Sequence, residues 1–359
     1  MTCRFVLLLD LAQSYVMLLS EFDYELPPNL IAQDPLIDRD ASRMLVVDRT
    51  TQNFSDHKFS ELPLFLRSGD LVVINNTRVF PARLIGRSET GANVEIFLVR
   101  EVEAGAWETL ARPARRLHDG KRIIFSEDLS GVVQEKAESG RLIIRFDASG
   151  DLNETIDRIG RTPLPPYIKR DSDAIDRDRD RYQTVFAHER GAIAAPTAGL
   201  HFTPQTMDAV RSSGVEIVEV TLHVGYGTFE PVRVDDLTQH RVASERASIG
   251  AASAAALESA RLDRRRIVAV GTTTTRVLET TIAKFGEFRS ADFDADVTIV
   301  PGYRFRAIDA LLTNFHLPKS SLLVLTSTFG GHELIMNAYR HAVAQGYRFY
   351  SYGDCMFIS

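Results

Sequence analysis

Four short segments gather histidine, hydroxyl, glycine and basic side chains at the ends of strands or helices. In AAPTAGLHF (194–202), proline and glycine fix an irregular backbone whose amides are free to face a ligand; Thr197 adds a hydroxyl, Gly199 a close approach, and His201 a group that titrates near neutral pH. In TLHVGYGTF (221–229), His223 alternates with Leu222 and Val224 along a strand that runs into Gly225-x-Gly227, which permits close backbone approach. GTTTTR (271–276) lies between a strand and a helix, so the free amides, Thr272, Thr273 and Arg276 make a ready site for a phosphate or carboxylate. TNFHLPKSS (313–321) ends a strand and opens a helix, which lets Asn314, His316 and Lys319 converge on a polar substrate. Each segment also has a plainer explanation: a core histidine, a bare turn or a helix cap.

Other chemistries are not signalled. The chain has no His-Glu-x-x-His, no Walker lysine loop and no nucleophile elbow, so neither a metal nor covalent hydrolysis is expected. Cys3 and Cys355 are its two cysteines, too few for a disulfide framework, and fit a reducing compartment. The formal net charge of -6 argues against nonspecific coating of nucleic acid, so phosphate contact needs a local patch. Two basic runs qualify: Arg112, Arg115, Arg116, Lys121 and Arg122 around Asp119, and Arg261, Arg264, Arg265 and Arg266 around Asp263.

The elements that must position these groups fall into two textures, and 359 residues allow two or three domains. LVVIN (71–75), ARLIG (82–86), NVEIFLV (93–99), WETLAR (107–112), KRIIF (121–125) and RLIIRF (141–146) read as strands punctuated by glycines. They predict a small antiparallel β-barrel or sandwich over 71–149. Around it, 21–70 and 150–359 read as a larger α/β domain into which the β domain is inserted. There MLVVD (44–48) needs sheet partners elsewhere, 215–224 and 266–271 read as strands, and 253–263, 272–285 and 332–345 as helices. Asp151 and Thr203 are predicted caps, with Pro204 at a first helical position. DSDAIDRDRDR (171–181) reads as a solvated helix or loop. Residues 1–16 are apolar but interrupted by Asp10, without a cleavage site, and read as a mis-start or dispensable extension that ends by about residue 20.

The motifs, taken together and in order, resemble one family: the S-adenosylmethionine:tRNA ribosyltransferase-isomerases of queuosine biosynthesis. The resemblance runs through FDYELPPNLIAQDP, RDASRMLVVDR, GDLVVINNTRVFPARLIG, RYQTVFA, APTAGLHF, TLHVGYGTF, VAVGTTTTRVLE, PGYRF, TNFHLPKS and YRFYSYGDCMFI. It implies an enzyme that transfers and isomerises the ribosyl group of S-adenosylmethionine onto 7-aminomethyl-7-deazaguanine at the wobble position of a tRNA with a GUN-type anticodon. Epoxyqueuosine forms, and adenine and methionine leave. The cofactor is thus consumed as a ribosyl donor. Two positions depart from the family pattern: Asn76 stands where an aspartate is usual, and Ala243 where a histidine is usual.

The implied reaction needs a base for the carbon beside the sulfonium. His201 or His223 is the expected base, with His316 and Glu245 assisting. Thr272, Thr273 and Arg276 are expected to hold the methionine carboxylate. Asn75 and Arg78 are expected at the nucleoside or its phosphate, and Arg112, Arg115, Arg116, Lys121 and Arg122 at the tRNA. A cytoplasmic monomer is expected. Two rivals remain: an S-adenosylmethionine-dependent RNA methyltransferase, whose acidic-Gly-x-Gly signature is missing, and a noncatalytic tRNA-binding protein.

Overall fold

The computed structural model describes residues 17–137, 140–170, 177–229 and 231–359. The suspected extension at 1–16 and residues 171–176 of the charged stretch lie outside them, while Asp178–Arg181 forms a one-turn helix. Residues 17–20 belong to the folded part. Leu19 is buried, and its N–H donates to the carbonyl of Asp235.

The chain opens with β1 (Arg43–Asp48), β2 (Asn53–Lys58), β3 (Leu71–Asn75) and β4 (Thr77–Val79). It then makes β5 (Arg83–Ser88), β6 (Asn93–Glu103), β7 (Ala106–Arg112), β8 (Arg122–Ser126), β9 (Leu129–Lys136) and β10 (Leu142–Ala148), which close into a barrel in the order β10-β7-β6-β5-β8-β9. Every pair in it is antiparallel. Strand alternation turns Leu84, Ile96, Leu98, Ile123, Leu142 and Ile144 inward as the barrel's own core.

LVVIN was expected to open this small domain. It is instead β3, in the middle of the large sheet, because all five of its residues are buried and alternate between two cores: Leu71 and Val73 on one face, Val72 and Ile74 on the other. A strand covered on both faces is an unbroken apolar run. The sixth barrel strand is β9, whose solvent-facing Glu135 and Lys136 and interior Gly131 hide it from a search for apolar runs.

Beyond the barrel come α1 (Leu152–Ile159), α2 (Asp178–Arg181), β11 (Glu189–Ala192), α3 (Pro204–Ser212), β12 (Glu216–Leu222), β13 (Glu245–Ile249), α4 (Ala251–Leu262), β14 (Ile267–Val270), α5 (Thr272–Phe285), β15 (Ala291–Ala295), β16 (Ala310–Asn314), α6 (Ser321–Gly330), α7 (His332–Ala344) and β17 (Cys355–Ile358). Asp151 and Thr203 cap α1 and α3 with their side chains. A nine-stranded sheet runs β15-β13-β12-β3-β14-β16-β17-β1-β2, so MLVVD finds its partners in β17 and β2. Four adjacent strands of this sheet, β12, β3, β14 and β16, are mutually parallel. Their carboxyl ends therefore lie side by side, the edge where α/β sheets place ligands.

Candidate functional site

Parallel pairing sets the site. The ends of β12, β3, β14 and β16 carry His223–Gly227, Asn75, Gly271–Thr273 and Asn314–His316 to one edge. A cavity of about 280 Å³ opens there, and parts of all four sequence motifs line it: Thr197, Gly227, Thr272, Thr273, Arg276, Asn314, His316 and Lys319, together with Glu245 and Ala243.

The helix α5 supplies one wall. Gly271 precedes it with φ of 90°, a conformation that costs an L side chain, and its N–H is tied to the Leu312 carbonyl of β16 at 2.7 Å. Thr274 and Thr275 turn their hydroxyls back onto the Val270 and Gly271 carbonyls, leaving Thr272 and Thr273 at the cavity. The first amides of a helix have no partner within it and carry the positive end of its dipole, so this wall suits an anion.

Arg276, expected to share that anion, is already engaged. Its guanidinium is 10% exposed and pairs with Glu245, itself 4% exposed, while Nη2 donates to the carbonyls of Ala243 and Ala295 at 2.9 and 2.7 Å. Glu245 also accepts the Gly225 N–H at 2.8 Å. The pair therefore ties α5, β13 and the Gly225–Gly227 turn into one wall. Across the turn, Gly227 has no room for a side chain, since a Cβ there would stand 2.7 Å from that of Ala243.

His316 is the imidazole in the cavity wall. Its Nε2 bonds Thr313 Oγ1 at 2.8 Å; its N–H donates to Tyr339 and its carbonyl accepts from Tyr24. Among the described residues Nδ1 has no hydrogen-bond partner. Burial pushes its pKa down to about 3, so it stays neutral across the physiological range.

His201 and His223, the first choices for the base, lie elsewhere. His201 lines a separate hollow of about 30 Å³, bonds Ser42 Oγ through Nδ1 at 2.7 Å, and is held neutral by burial with a pKa of about 4. Asn314 stands between the two places: its Oδ1 is buried without a hydrogen bond, as is Nε2 of His201, and its side chain favours the protonated imidazole less than burial disfavours it. His223 turns to the face opposite Val224, bonds Thr77 Oγ1 at 2.8 Å, and packs where a Cβ on Gly191 would collide with its ring at 2.6 Å. Burial, and secondarily Arg246, lowers its pKa.

Four other expected ligands also stand outside the cavity lining. Gly199 serves packing against Thr184 and Phe186. Gly225 touches the site through Glu245. Asn75 spends its amide clamping β3 to Leu222 of β12, reaching Thr273 Oγ1 at 3.4 Å. Arg78 is exposed on β4. Lys319 does line the cavity, at φ of 57°, but its ammonium is paired with Asp23 at 2.6 Å. Asn76 bonds Glu219, His188 and Thr221, away from the cavity, whereas Ala243 is in its wall.

Sequence reasoning passed over the aromatic side of the cavity. Tyr167, Tyr182 and Tyr350 line it, with the Tyr167 and Tyr350 rings 4.0 Å apart. Tyr182 and Tyr350 belong to segments already noticed, RYQTVFA and YRFYSYGD, and Tyr167 to the proline-rich PLPPYIKR (163–170), but no periodicity brings 167, 182 and 350 together. Three of the four arginines of the second basic run are committed to the fold: Arg266 pairs with buried Asp70, Arg265 with Glu216 and Arg261 with Glu258, while Arg264 is exposed. In the first run, Lys121 pairs with Glu89 at 3.6 Å, while Arg112, Arg115 and Arg116 are exposed and make no ion pair among the described residues.

Comparison with known proteins relates nearly the whole chain to one family. The model of the family described as queuosine biosynthesis protein matches residues 19–358. The S-adenosylmethionine:tRNA ribosyltransferase-isomerase of Syntrophotalea carbinolica is 48% identical over 344 residues, 95% of this chain and 100% of its own length. That of Geotalea uraniireducens is 49% identical with the same coverage. Among solved structures, the S-adenosylmethionine tRNA ribosyltransferase of Thermotoga maritima is 37% identical and has a TM-score of 0.54, with 95% of this chain and 100% of that one covered. The chain thus belongs to the queuosine biosynthesis protein family.

Proposed function

We propose that this chain is an S-adenosylmethionine:tRNA ribosyltransferase-isomerase. It moves and isomerises the ribosyl group of S-adenosylmethionine onto the aminomethyl-deazaguanine at the wobble position of tRNA, forming epoxyqueuosine and releasing adenine and methionine. The observation that carries the reading is the meeting of the separated motifs in one cavity, within a chain that matches its ribosyltransferase-isomerase relatives over their full length.

The residues divide the work by type. The amides and hydroxyls at Thr272 and Thr273 suit the methionine carboxylate, with Arg276 acting through Glu245 to hold the wall. The tyrosine wall offers π-faces to adenine. The sulfonium charge acidifies the adjacent carbon, and neutral His316, with Nδ1 free of protein partners among the described residues, takes that proton. Its basicity rises when the substrate carboxylate enters the same cavity. His201 acts behind Asn314 as a positioning residue.

The run of exposed Arg112, Arg115, Arg116 and Arg122 with half-buried Lys121 meets the tRNA backbone, and tRNAs with GUN-type anticodons are the partners. The chain acts as a monomer, with residues of all four motifs meeting at one cavity within it. No helix among the described residues is long and apolar enough to cross a membrane, in keeping with work on cytoplasmic tRNA. Product analysis after incubation with S-adenosylmethionine and the modified tRNA tests the reading. Adenine and methionine support it; S-adenosylhomocysteine would mark a methyltransferase, and unconsumed S-adenosylmethionine a binding protein.

A further inference from the structure

A second and larger hollow, about 560 Å³, lies where the barrel meets the proline-rich stretch 163–170. It adjoins the cavity just described. Pro166 lines both, and the neighbouring residues Tyr226 and Gly227 each line one of them. Its wall mixes rings with charge. Phe97 of β6 meets Tyr226 edge to face, with centroids 5.9 Å apart. Glu95 is neutralised by Arg83, whose Nε and Nη2 bond its two oxygens at 2.8 and 2.9 Å. Arg170 is occupied by Asp178. Arg112 and Lys169 remain exposed in the lining, and neither makes an ion pair among the described residues. The groove thus presents two uncompensated cations and an aromatic pair, and its acid is already paired.

That combination fits single-stranded nucleic acid. Cations follow the phosphates, rings take bases irrespective of sequence, and a base presented to an enzyme must first leave its stack. We propose that this groove seats a nucleotide next to the one being modified, its base against Phe97 and Tyr226 and its phosphates on Arg112 and Lys169. The assignment rests on the tRNA reading above. It makes the barrel a clamp that holds the anticodon loop while the neighbouring nucleotide enters the cavity.

The test uses the full-length protein, tRNA bearing the aminomethyl-deazaguanine, and separate binding measurements for tRNA and S-adenosylmethionine. Arg112→Glu and Lys169→Glu should each weaken tRNA binding and lower the slope of log affinity against log salt by about 0.7 for each phosphate no longer neutralised. Phe97→Ala should weaken it by roughly 10- to 100-fold. Because Phe97 also packs on the barrel core, Phe97→Leu provides the control: it keeps apolar bulk, and the weakening should persist if stacking is the cause. S-adenosylmethionine affinity should be unchanged in all four variants. Wild-type tRNA affinity and salt slope in both charge variants would overturn the groove assignment, with the wild-type reaction left intact. A wild-type protein that binds no tRNA would overturn the functional reading and the groove together.

Discussion

Replacing Glu245 by glutamine tests whether its pair with Arg276 holds the cavity wall. The carboxylate serves two donors at once: one oxygen accepts the Gly225 N–H at 2.8 Å, the other the Arg276 guanidinium. A glutamine of the same shape has one acceptor oxygen and one NH2, so whichever way it turns, a donor faces a donor. Arg276 would keep its bonds to the Ala243 and Ala295 carbonyls but lose its counter-charge at 10% exposure. Removing one partner of a buried pair costs roughly 3–5 kcal/mol. The surviving carbonyl bonds set the expectation at the low end, about 3 kcal/mol, or on the order of a hundredfold in the folding equilibrium. Urea denaturation followed by circular dichroism should show a lower midpoint at unchanged slope. Weaker S-adenosylmethionine binding should accompany it, because the Gly225–Gly227 turn loses its anchor. Glu245→Asp, which keeps the charge, should fall between. A glutamine variant as stable as wild type, with unchanged ligand affinity, would refute the reasoning.

Three further outcomes follow from the same geometry. His316→Gln should lower kcat by ~10²–10⁴-fold at near-normal tRNA affinity, while His201→Asn should reduce turnover less, because His201 does not itself line the cavity and acts on it only through Asn314; equal losses in single-turnover assays would contradict the division of roles. Burial holds His201 and His316 at about 4 and about 3 against an ordinary 6.5. The unfolded chain therefore binds protons that the folded chain refuses, and stability falls as pH drops from about 6.5 toward 4, by up to ~1.4 kcal/mol per pH unit for each histidine. Urea midpoints at about pH 7 and about pH 5 measure this, and His201→Asn should shrink the difference. Gly227→Ala places a Cβ 2.7 Å from that of Ala243; the shifted wall should raise the KM for S-adenosylmethionine, read from initial rates, and leave tRNA binding near wild type.

The fold was legible where a pattern has one physical solution. Helix α5 was readable over its full span, 272–285, because Gly271 and Gly286 bracket it, and Thr203 with Pro204 announced α3. The assignment of β3 to the barrel failed because an unbroken apolar run reveals burial on both faces but not which sheet provides it. The site was legible as a set of motifs, since the strands that carry them end at a common edge. Which histidine faces the cavity was not. His201, His223 and His316 all sit in glycine- or proline-bearing segments, and the choice depends on strand alternation and on Ser42, Thr77 and Thr313 as partners. The tyrosine wall and the Glu245–Arg276 pair join residues far apart in the chain, a relation that only tertiary packing sets.

The most direct measurement follows two labels through one turnover. S-adenosylmethionine carrying one isotope in its ribosyl carbons and another in its methyl group is incubated with the protein and tRNA bearing the aminomethyl-deazaguanine. The tRNA is then digested and its nucleosides weighed. The ribosyl label should enter the wobble nucleoside, while the methyl label leaves in free methionine together with one equivalent of adenine. Methyl label in the tRNA, or ribosyl label retained in S-adenosylhomocysteine, would contradict the account.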